Sequence, residues 1–280
     1  MEEMAEVMFL LSSGDRLKLL SEIRGGDLRQ TDLAQKLSVT VQETSKHLGR
    51  LSDGGLIERG PNSCYRLTSF GRAVSEMLPS IGFMSRNRDY FLAHDTSSIP
   101  REFMLRIGEL SEHSYVDHVT NVLTECQHLL GMAQEYFYWI IDQPLPWSIN
   151  KPLSDHMSIE LILQTDVPNK AYGLARNMLG PRAQVRYADR VSVSLAVNER
   201  MAGICFPDLH GKTDFSCGFI GYGAEFQKWC FDLFGYFWEN SRKVRPSGAS
   251  QGLFAAADPE LEATGRKTGL TQESGGLKLR

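Results

Sequence analysis

The chain has 280 residues, which is enough for about two domains of ordinary size. Hydrophobic residues make up 42% and charged residues 23%, a balance typical of globular proteins that excludes the disordered, fibrous and membrane classes. The net charge of −4 gives no general attraction to a polyanion, so a nucleic-acid site must come from local clustering of basic residues.

The apolar stretches are too short for a membrane-spanning protein. The longest, Val7–Leu11 and Tyr136–Ile141, fall well below the ~20 residues that cross a bilayer. The start, Met1-Glu2-Glu3, is acidic where a signal peptide would be basic. We therefore expect a cytoplasmic protein that makes no membrane contact.

The cysteines predict free thiols rather than a disulfide framework or a zinc site, because their number is odd and none forms a Cys-x-x-Cys pair. They are Cys64, Cys126, Cys205, Cys217 and Cys230. From the sequence we expect neither a metal ion nor a cofactor.

Short helices are predicted in the first third of the chain. The first runs from Asp15 through Ile23 and ends at Gly25-Gly26, because glycine tolerates positive φ. The second runs from Asp32 to Leu37 with Thr31 as its N-cap, and a turn at Ser38-Val39 follows it.

The third helix begins after Thr40, which we predict to form a capping box with Glu43, so Glu43 is assigned to capping rather than to a contact with cytosine. Its apolar side consists of Val41, Thr44, Leu48 and Leu51. Its opposite side consists of Gln42, Ser45, Lys46, Gly49 and Arg50. Two helices joined by so short a turn form a helix-turn-helix, whose second helix fits the DNA major groove.

A β-hairpin is predicted next, with strands at Leu56–Arg59 and Cys64–Leu67 around a tight turn at Gly60–Ser63. Thr68 then caps a further helix that runs through Leu78. The order of helices and hairpin predicts a winged helix, with the hairpin as its wing.

Basic residues cluster in this region: seven basic and four acidic residues lie between Arg29 and Arg72, an excess of three. Glutamine can pair with adenine, and lysine or arginine can reach guanine or phosphate. The predicted DNA-contacting residues are Arg29, Gln30, Thr40, Gln42, Ser45, Lys46, His47, Arg50, Arg59, Asn62 and Arg66.

The region resembles the winged-helix regulators of the arsenic-repressor type. The segments that carry the resemblance are Thr31-Asp32-Leu33-Ala34, Lys46-His47-Leu48, Gly55-Leu56-Ile57 and Tyr65-Arg66-Leu67-Thr68. The resemblance implies a homodimer that binds double-stranded DNA. Metal-sensing members carry cysteines or histidines at defined helix positions, whereas this region has only Cys64 and His47, so a metal switch is not expected.

The rest of the chain predicts an α/β domain, and the fold class is α/β (α+β overall). The predicted elements are a helix over Ser114–Gln134, strands at Tyr136–Ile141 and Ser158–Leu163, a helix over Lys170–Leu179, a strand at Gln184–Tyr187, a hairpin from Val191 to Phe206 turning at Asn198-Glu199, a strand at Phe215–Ile220 and a closing helix over Ala224–Ser241. We divide the chain into a winged helix (1–80), an ordered connector (81–113), an α/β sensor or dimerisation domain (114–245) and a disordered tail (246–280).

The second part resembles an archaeal family of regulators linked to methanogenesis and filament formation. The segments that carry this resemblance are His94–Pro100, Asp142-Gln143-Pro144, Val197–Arg200 and Trp229–Glu239. The resemblance implies a sensor or dimerisation domain of phospholipase-D-like shape fused to the winged helix.

Polar residues at predicted strand and loop ends are the candidates for a small-molecule effector site, because open α/β sheets tend to build sites there. These residues are His94, Asp95, Asp142, Arg186, Asp189 and Arg190.

We therefore predict a DNA-binding transcription regulator that is not an enzyme; whether it activates or represses stays open. One alternative is a protein-interaction scaffold with a winged helix, in which the aromatic closing helix is core or a dimer interface. The other is a phosphodiesterase-like enzyme, suggested by His210-Gly211-Lys212, although the motif occurs in a single copy and the aspartate expected further along is missing.

Overall fold

The computed structural model describes residues 1–142, 156–165, 183–191 and 193–243, and its fold is mixed α/β as predicted. The helices are α1 Glu2–Leu11, α2 Gly14–Arg24, α3 Gln30–Leu37, α4 Val41–Asp53, α5 Ser69–Arg86, α6 Arg88–Ala93, α7 Arg101–Leu105, α8 Val119–Met132 and α9 Ala224–Glu239. The strands are β1 Leu28–Arg29, β2 Ile57–Arg59, β3 Cys64–Leu67, β4 Ser114–Asp117, β5 Tyr136–Ile141, β6 Ser158–Gln164, β7 Gln184–Ala188, β8 Ser194–Asn198, β9 Ala202–Cys205 and β10 Cys217–Gly221. Within these ranges, no helix has the length and apolar character that crossing a membrane requires.

The first part of the chain forms a winged helix-turn-helix. Helices α2, α3 and α4 contact one another, and the three strands beside them form a sheet in the order β1-β3-β2. Strands β2 and β3 pair antiparallel, with Ile57 opposite Leu67, so the predicted wing is confirmed. The fully buried residues of this core are Leu19, Leu20, Leu33, Leu48, Leu51 and Leu56.

The start of helix α3 differs from the prediction. The helix begins at Gln30 rather than Asp32, and Arg29, not Thr31, is its N-cap residue. Arg29 also ends strand β1, where it pairs with Cys64. Asp32 is the third residue of the helix rather than the first, and its carboxylate accepts from the backbone N–H of Arg29 at 3.4 Å. The prediction missed this start because it depends on a strand partner far along the chain.

Two further differences lie on helix surfaces. Helix α1 was not predicted, because its large apolar residues do not form a buried face: Met4, Met8 and Phe9 are all more than half exposed. Val41 was assigned to the packing face of α4, but its side chain is 49% exposed. The apolar stripe of α4 is therefore narrower than predicted and begins at Thr44.

A seven-stranded sheet forms the second part, in the order β4-β10-β9-β8-β5-β6-β7. Strands β5, β6 and β7 run parallel, whereas β8 is antiparallel to β5 and the remaining pairs are antiparallel. The carboxyl ends of the three parallel strands therefore share one edge of the sheet with the start of β8. The predicted hairpin of β8 and β9 is confirmed, with Val197 opposite Ala202.

Each face of this sheet buries an apolar core. Helix α9 covers one face, where Trp229, Phe226 and Leu233 are fully buried. Helix α8 covers the other face, where Leu129 packs with Phe137 and Leu161. The aromatic closing helix is thus largely core, as one of the alternatives proposed.

The single long helix predicted over Ser114–Gln134 is wrong. Its first four residues form strand β4, which pairs antiparallel with β10, and helix α8 starts only at Val119. His118 between them has a φ of 64°, which no continuing right-handed helix allows. The helix predicted over Lys170–Leu179 and the predicted tail lie outside the described residues.

Helix α5 connects the two parts of the molecule without interruption. It spans residue 80, where we placed a domain boundary, and ends at Arg86. The segment predicted as a connector contributes buried side chains to the core under α9, among them Phe83, Tyr90 and Phe103. The Ser80 hydroxyl donates to the Leu105 carbonyl at 2.8 Å, so the end of α5 is fastened to this segment.

Gly71→Ala should destabilise the winged helix, because a Cβ at this position in α5 would overlap the carbonyl oxygen of Leu56. The backbone must shift to accept it, and we expect a loss of about 2 kcal/mol in the free energy of unfolding, measured by urea titration. Gly49→Ala is the matched control, since nothing lies within 4 Å of its Cβ position and alanine favours a helix by about 1 kcal/mol. Equal stabilities of the two variants would contradict this packing.

Candidate functional site

Helix α4 presents a polar face to solvent. The Thr40 side-chain oxygen accepts from the backbone N–H of Glu43 at 3.1 Å, and among the described hydrogen bonds only this half of the predicted capping box is present. On the inner side, Thr44, Leu48 and Leu51 are fully buried. On the outer side, the exposed residues are Gln42, Ser45, Lys46, Gly49 and Arg50. The helix therefore separates into a buried face, as the sequence predicts apart from the exposed Val41, and a polar face that is exposed to solvent.

Three of the predicted DNA-contacting residues make contacts inside the protein. The Gln30 side-chain amide donates to the Val41 carbonyl at 2.9 Å and so holds α3 against the start of α4. Thr40 caps α4. The His47 Nε2 lies 3.9 Å from a carboxylate oxygen of Asp15 on α2, and the side chain is only 16% exposed. These side chains help to position α4, whereas the side chains on its outer side make no such contact among the described hydrogen bonds and ion pairs.

The wing and β1 add exposed polar groups beside this helix. Arg29, Arg59 and Asn62 are exposed, and Asn62 has a φ of 57° at the tip of the hairpin. The Arg66 Nε donates to the Glu58 carboxylate at 2.8 Å across the two strands, so part of its charge is balanced within the wing. Exposed ion pairs of this kind contribute little to folding stability, so Arg66 can leave Glu58 to pair with another anion at low cost.

A second group of polar residues gathers around the segment between β9 and β10, residues 206–216. His94 forms a β-bridge with Asp208, and the backbone N–H of Asp95 donates to the Pro207 carbonyl at 2.9 Å. Asp142, directly after β5, accepts from the backbone N–H of Thr213 at 3.3 Å. Arg190 packs against Gly211 of the same segment. Four of the six predicted effector-site residues therefore meet at one edge of the sheet.

Their local environments differ. Burial raises the pKa of the Asp142 carboxyl, although its hydrogen bonds with Thr213 act in the opposite direction. Hydrogen bonds from Ser97 lower the pKa of the Asp95 carboxyl, which therefore stays ionised. The carboxylate of Asp95 also lies near the cation of Arg190.

His94 is buried and fixed in orientation. Its Nδ1 lies 2.7 Å from the Tyr90 carbonyl oxygen, and its ring stacks on the Tyr90 ring with 3.7 Å between centroids. Its Nε2 lies 3.3 Å from the Asp214 carboxylate and 3.6 Å from the Cys217 sulfur. Asp214 and Cys217 are not among the site residues predicted from the sequence, because their proximity to His94 arises only when β10 pairs with β4 and β9.

Arg186 and Asp189, the other two predicted effector-site residues, lie elsewhere. Arg186 donates to the Trp238 carbonyl at 2.6 Å, and its guanidinium lies 4.3 Å from the centroid of the Trp238 ring. Asp189 pairs with Arg242 at 2.7 Å. Both contacts fasten β7 to the end of α9 and its following residues, and neither lies in the group around residues 206–216.

One family model matches the chain. It is described as the HVO_A0261 N-terminal domain and matches residues 4–87, which include α1 to α5 and the wing. No curated protein matches the sequence.

Several solved structures are similar to parts of the chain. TrmBL2, described as an archaeal chromatin protein with a novel mode of DNA binding, is 15% identical and aligns over 83% of this chain and 94% of its own, with a TM-score of 0.35. The winged helix-turn-helix domain of Mb0332 from Mycobacterium bovis, described as homodimeric and as a possible ArsR-family regulator, is 22% identical over 30% of this chain and 81% of its own, with a TM-score of 0.28. The repressor BigR from Xylella fastidiosa is 27% identical over 30% and 87%, with a TM-score of 0.27. Scores of this size do not establish a shared function, which must be inferred from this chain's own residues.

Thr40→Ala should destabilise the winged helix, because the backbone N–H of Glu43 loses its hydrogen-bond acceptor at the start of α4. We expect a loss of about 1 kcal/mol in the free energy of unfolding, measured by urea titration with circular dichroism. Thr40→Ser keeps the hydroxyl and should unfold close to the wild-type midpoint. A serine variant as unstable as the alanine variant would show that the cap is not the stabilising contact.

Proposed function

We propose that the protein is a DNA-binding transcription regulator whose helix α4 enters the major groove. The observation that carries this proposal is the exposed polar face of α4, opposite a fully buried face that fixes its direction. Gln42, Lys46 and Arg50 have the donor and acceptor groups that read base edges, and Ser45 is small enough for close approach. Arg29, Arg59 and the wing flank the helix and contact phosphates, which orients the protein on the duplex.

The regulator acts as a homodimer on a roughly palindromic operator. Two copies of α4 then occupy successive major grooves, ~34 Å apart. Support for a second copy comes from helices α1 and α5, each of which leaves large apolar side chains exposed. These side chains are Met4, Met8 and Phe9 on α1, and Phe70, Met77 and Ile81 on α5.

The second part of the chain senses a small molecule or takes part in dimerisation. Support for a sensor comes from the polar residues that meet at the carboxyl ends of β5 and β7, where open sheets tend to bind ligands. We also propose that the chain is related to the archaeal regulators linked to methanogenesis and filament formation. Two segments that carry that resemblance pack in one core, because Ile99 of His94–Pro100 and Trp229 of Trp229–Glu239 are both buried there.

We also propose that the protein is not an enzyme. In the segment His210-Gly211-Lys212, the backbone N–H groups of His210 and Lys212 both donate to one carboxylate oxygen of Asp208. The motif that suggested a phosphodiesterase thus forms a tight turn on the surface. Hydrolysis of a generic phosphodiester by the purified protein would overturn this part of the proposal.

Lys46→Ala should weaken specific DNA binding more than Arg72→Ala, although each removes one positive charge. Lys46 lies on the exposed face of α4, whereas the Arg72 guanidinium donates to the Leu67 carbonyl at 3.0 Å and to the Ser69 hydroxyl. We expect a loss of about 1 to 3 kcal/mol in specific binding for Lys46→Ala, measured by fluorescence anisotropy on a duplex selected from a random pool.

The control for this comparison is binding to a scrambled duplex. Arg72→Ala should change specific and scrambled binding by similar small factors, because it removes a positive charge from the domain but no group from the exposed face of α4. Urea titration of both variants separates a loss of binding from a loss of folding. Equal losses of specific binding in the two variants would count against α4 as the recognition helix.

A further inference from the structure

Three metal-ligating side chains converge in the core beside β10. The Nε2 of His94, the carboxylate of Asp214 and the thiol of Cys217 lie within 4.8 Å of one another. The His94 and Cys217 side chains are buried, and Asp214 is partly exposed. His94 and Cys217 are 123 positions apart along the chain, so only the fold brings them together.

Two of the three spacings between these atoms are those of a tetrahedral site. In a zinc site with bonds of ~2.0 to 2.1 Å to nitrogen or oxygen and ~2.3 Å to sulfur, neighbouring ligand atoms are about 3.3 to 3.6 Å apart. The nitrogen and oxygen are 3.3 Å apart, the nitrogen and sulfur 3.6 Å, and the sulfur and oxygen 4.0 Å. A small movement of the Asp214 carboxylate, which reaches the surface, brings all three to bonding distance.

The histidine is oriented as in known metal sites. A carbonyl oxygen can only accept, so the contact of 2.7 Å with Tyr90 places a proton on Nδ1. In the neutral imidazole the lone pair of Nε2 then faces Asp214 and Cys217. The stacked Tyr90 ring holds the imidazole in this plane. The Tyr90 hydroxyl is itself fixed, because it accepts from the backbone N–H of Phe206 at 2.9 Å.

We propose that His94, Asp214 and Cys217 bind a Zn²⁺ ion, with water or an effector group at the fourth position. Imidazole, carboxylate and thiolate together suit zinc better than the hard ions Mg²⁺ or Ca²⁺, which prefer oxygen. The ion would join the end of α6, the segment before β10 and β10 itself. This inference concerns the second part of the chain and does not depend on DNA binding by the first.

A site without metal is the competing account. Here the Cys217 thiol donates to the neutral Nε2, or a protonated His94 pairs with Asp214, and no ion is needed. A second group, Asp15, Glu43 and His47, also brings three ligand atoms together but contains no thiol. The test therefore needs a readout that reports a bond between sulfur and metal.

The experiment titrates the full-length, metal-free protein with Co²⁺, a zinc substitute, and follows the sulfur-to-cobalt charge-transfer band in the near ultraviolet. We expect one Co²⁺ per chain with this band, displaced by one Zn²⁺, as measured also by native mass spectrometry. Cys217→Ser should abolish the band. Asp214→Asn, a conservative change at a partly exposed position, should weaken binding by at least ~100-fold, because even loss of an outer-shell partner costs ~10- to 100-fold.

Matched variants serve as controls. Cys64→Ser removes a thiol from the wing, and Glu43→Gln removes a carboxylate from the second group, so both should bind Co²⁺ with the wild-type band and affinity. Circular dichroism establishes that each variant is folded, and Asp214→Asn decides the question if Cys217→Ser does not fold. A wild-type protein without the band, a band that persists in Cys217→Ser, or wild-type affinity in Asp214→Asn would overturn the proposal.

Discussion

The burial of one face of helix α4 is the constraint on which the functional account depends. Thr44, Leu48 and Leu51 pack fully inside the core of the winged helix. Rotation of α4 would expose these side chains and bury Lys46 or Arg50. Moving an unpaired charge from water into the protein core has a large free-energy cost, so the rotated arrangement is unfavourable. The packing thus fixes which residues face solvent, and the Thr40 cap and the Gln30 contact with Val41 fix where the helix begins.

Helix α5 joins this winged helix to the seven-stranded sheet. It begins at the Thr68 cap, directly after the wing, and ends among the aromatic residues under α9, where Phe83 is fully buried. The Ser80 hydroxyl donates to the Leu105 carbonyl and accepts from the backbone N–H of Gly108. A ligand that moves the segment after α5 therefore acts on an element that is continuous with the wing, which gives the proposed sensor a direct physical route to the DNA-binding helix.

Local features of the fold could be predicted from the sequence, and features that need distant partners could not. The Thr40 cap, the inner face of α4 and the wing depend on neighbouring residues, and the structure confirms them except for Val41, which is exposed. Strand β4 was mistaken for helix because its partner β10 lies about a hundred residues away. Asp142 and Arg190 come together because they follow the parallel strands β5 and β7, whereas His94 and Asp95 follow helix α6 and join them through backbone contacts with Asp208 and Pro207. Arg186 instead stacks on Trp238 of α9. Asp214 and Cys217 had no local signal at all.

Fluorescence anisotropy with the full-length protein tests the central claim most directly. The protein is titrated at two salt concentrations into the DNA from upstream of its own gene and into a scrambled duplex of the same composition. The account predicts tighter binding to the native duplex and a steep fall of both affinities with salt, because phosphate contacts release counterions. Absence of binding to either duplex at low salt would contradict it and would favour a protein-interaction role for the winged helix.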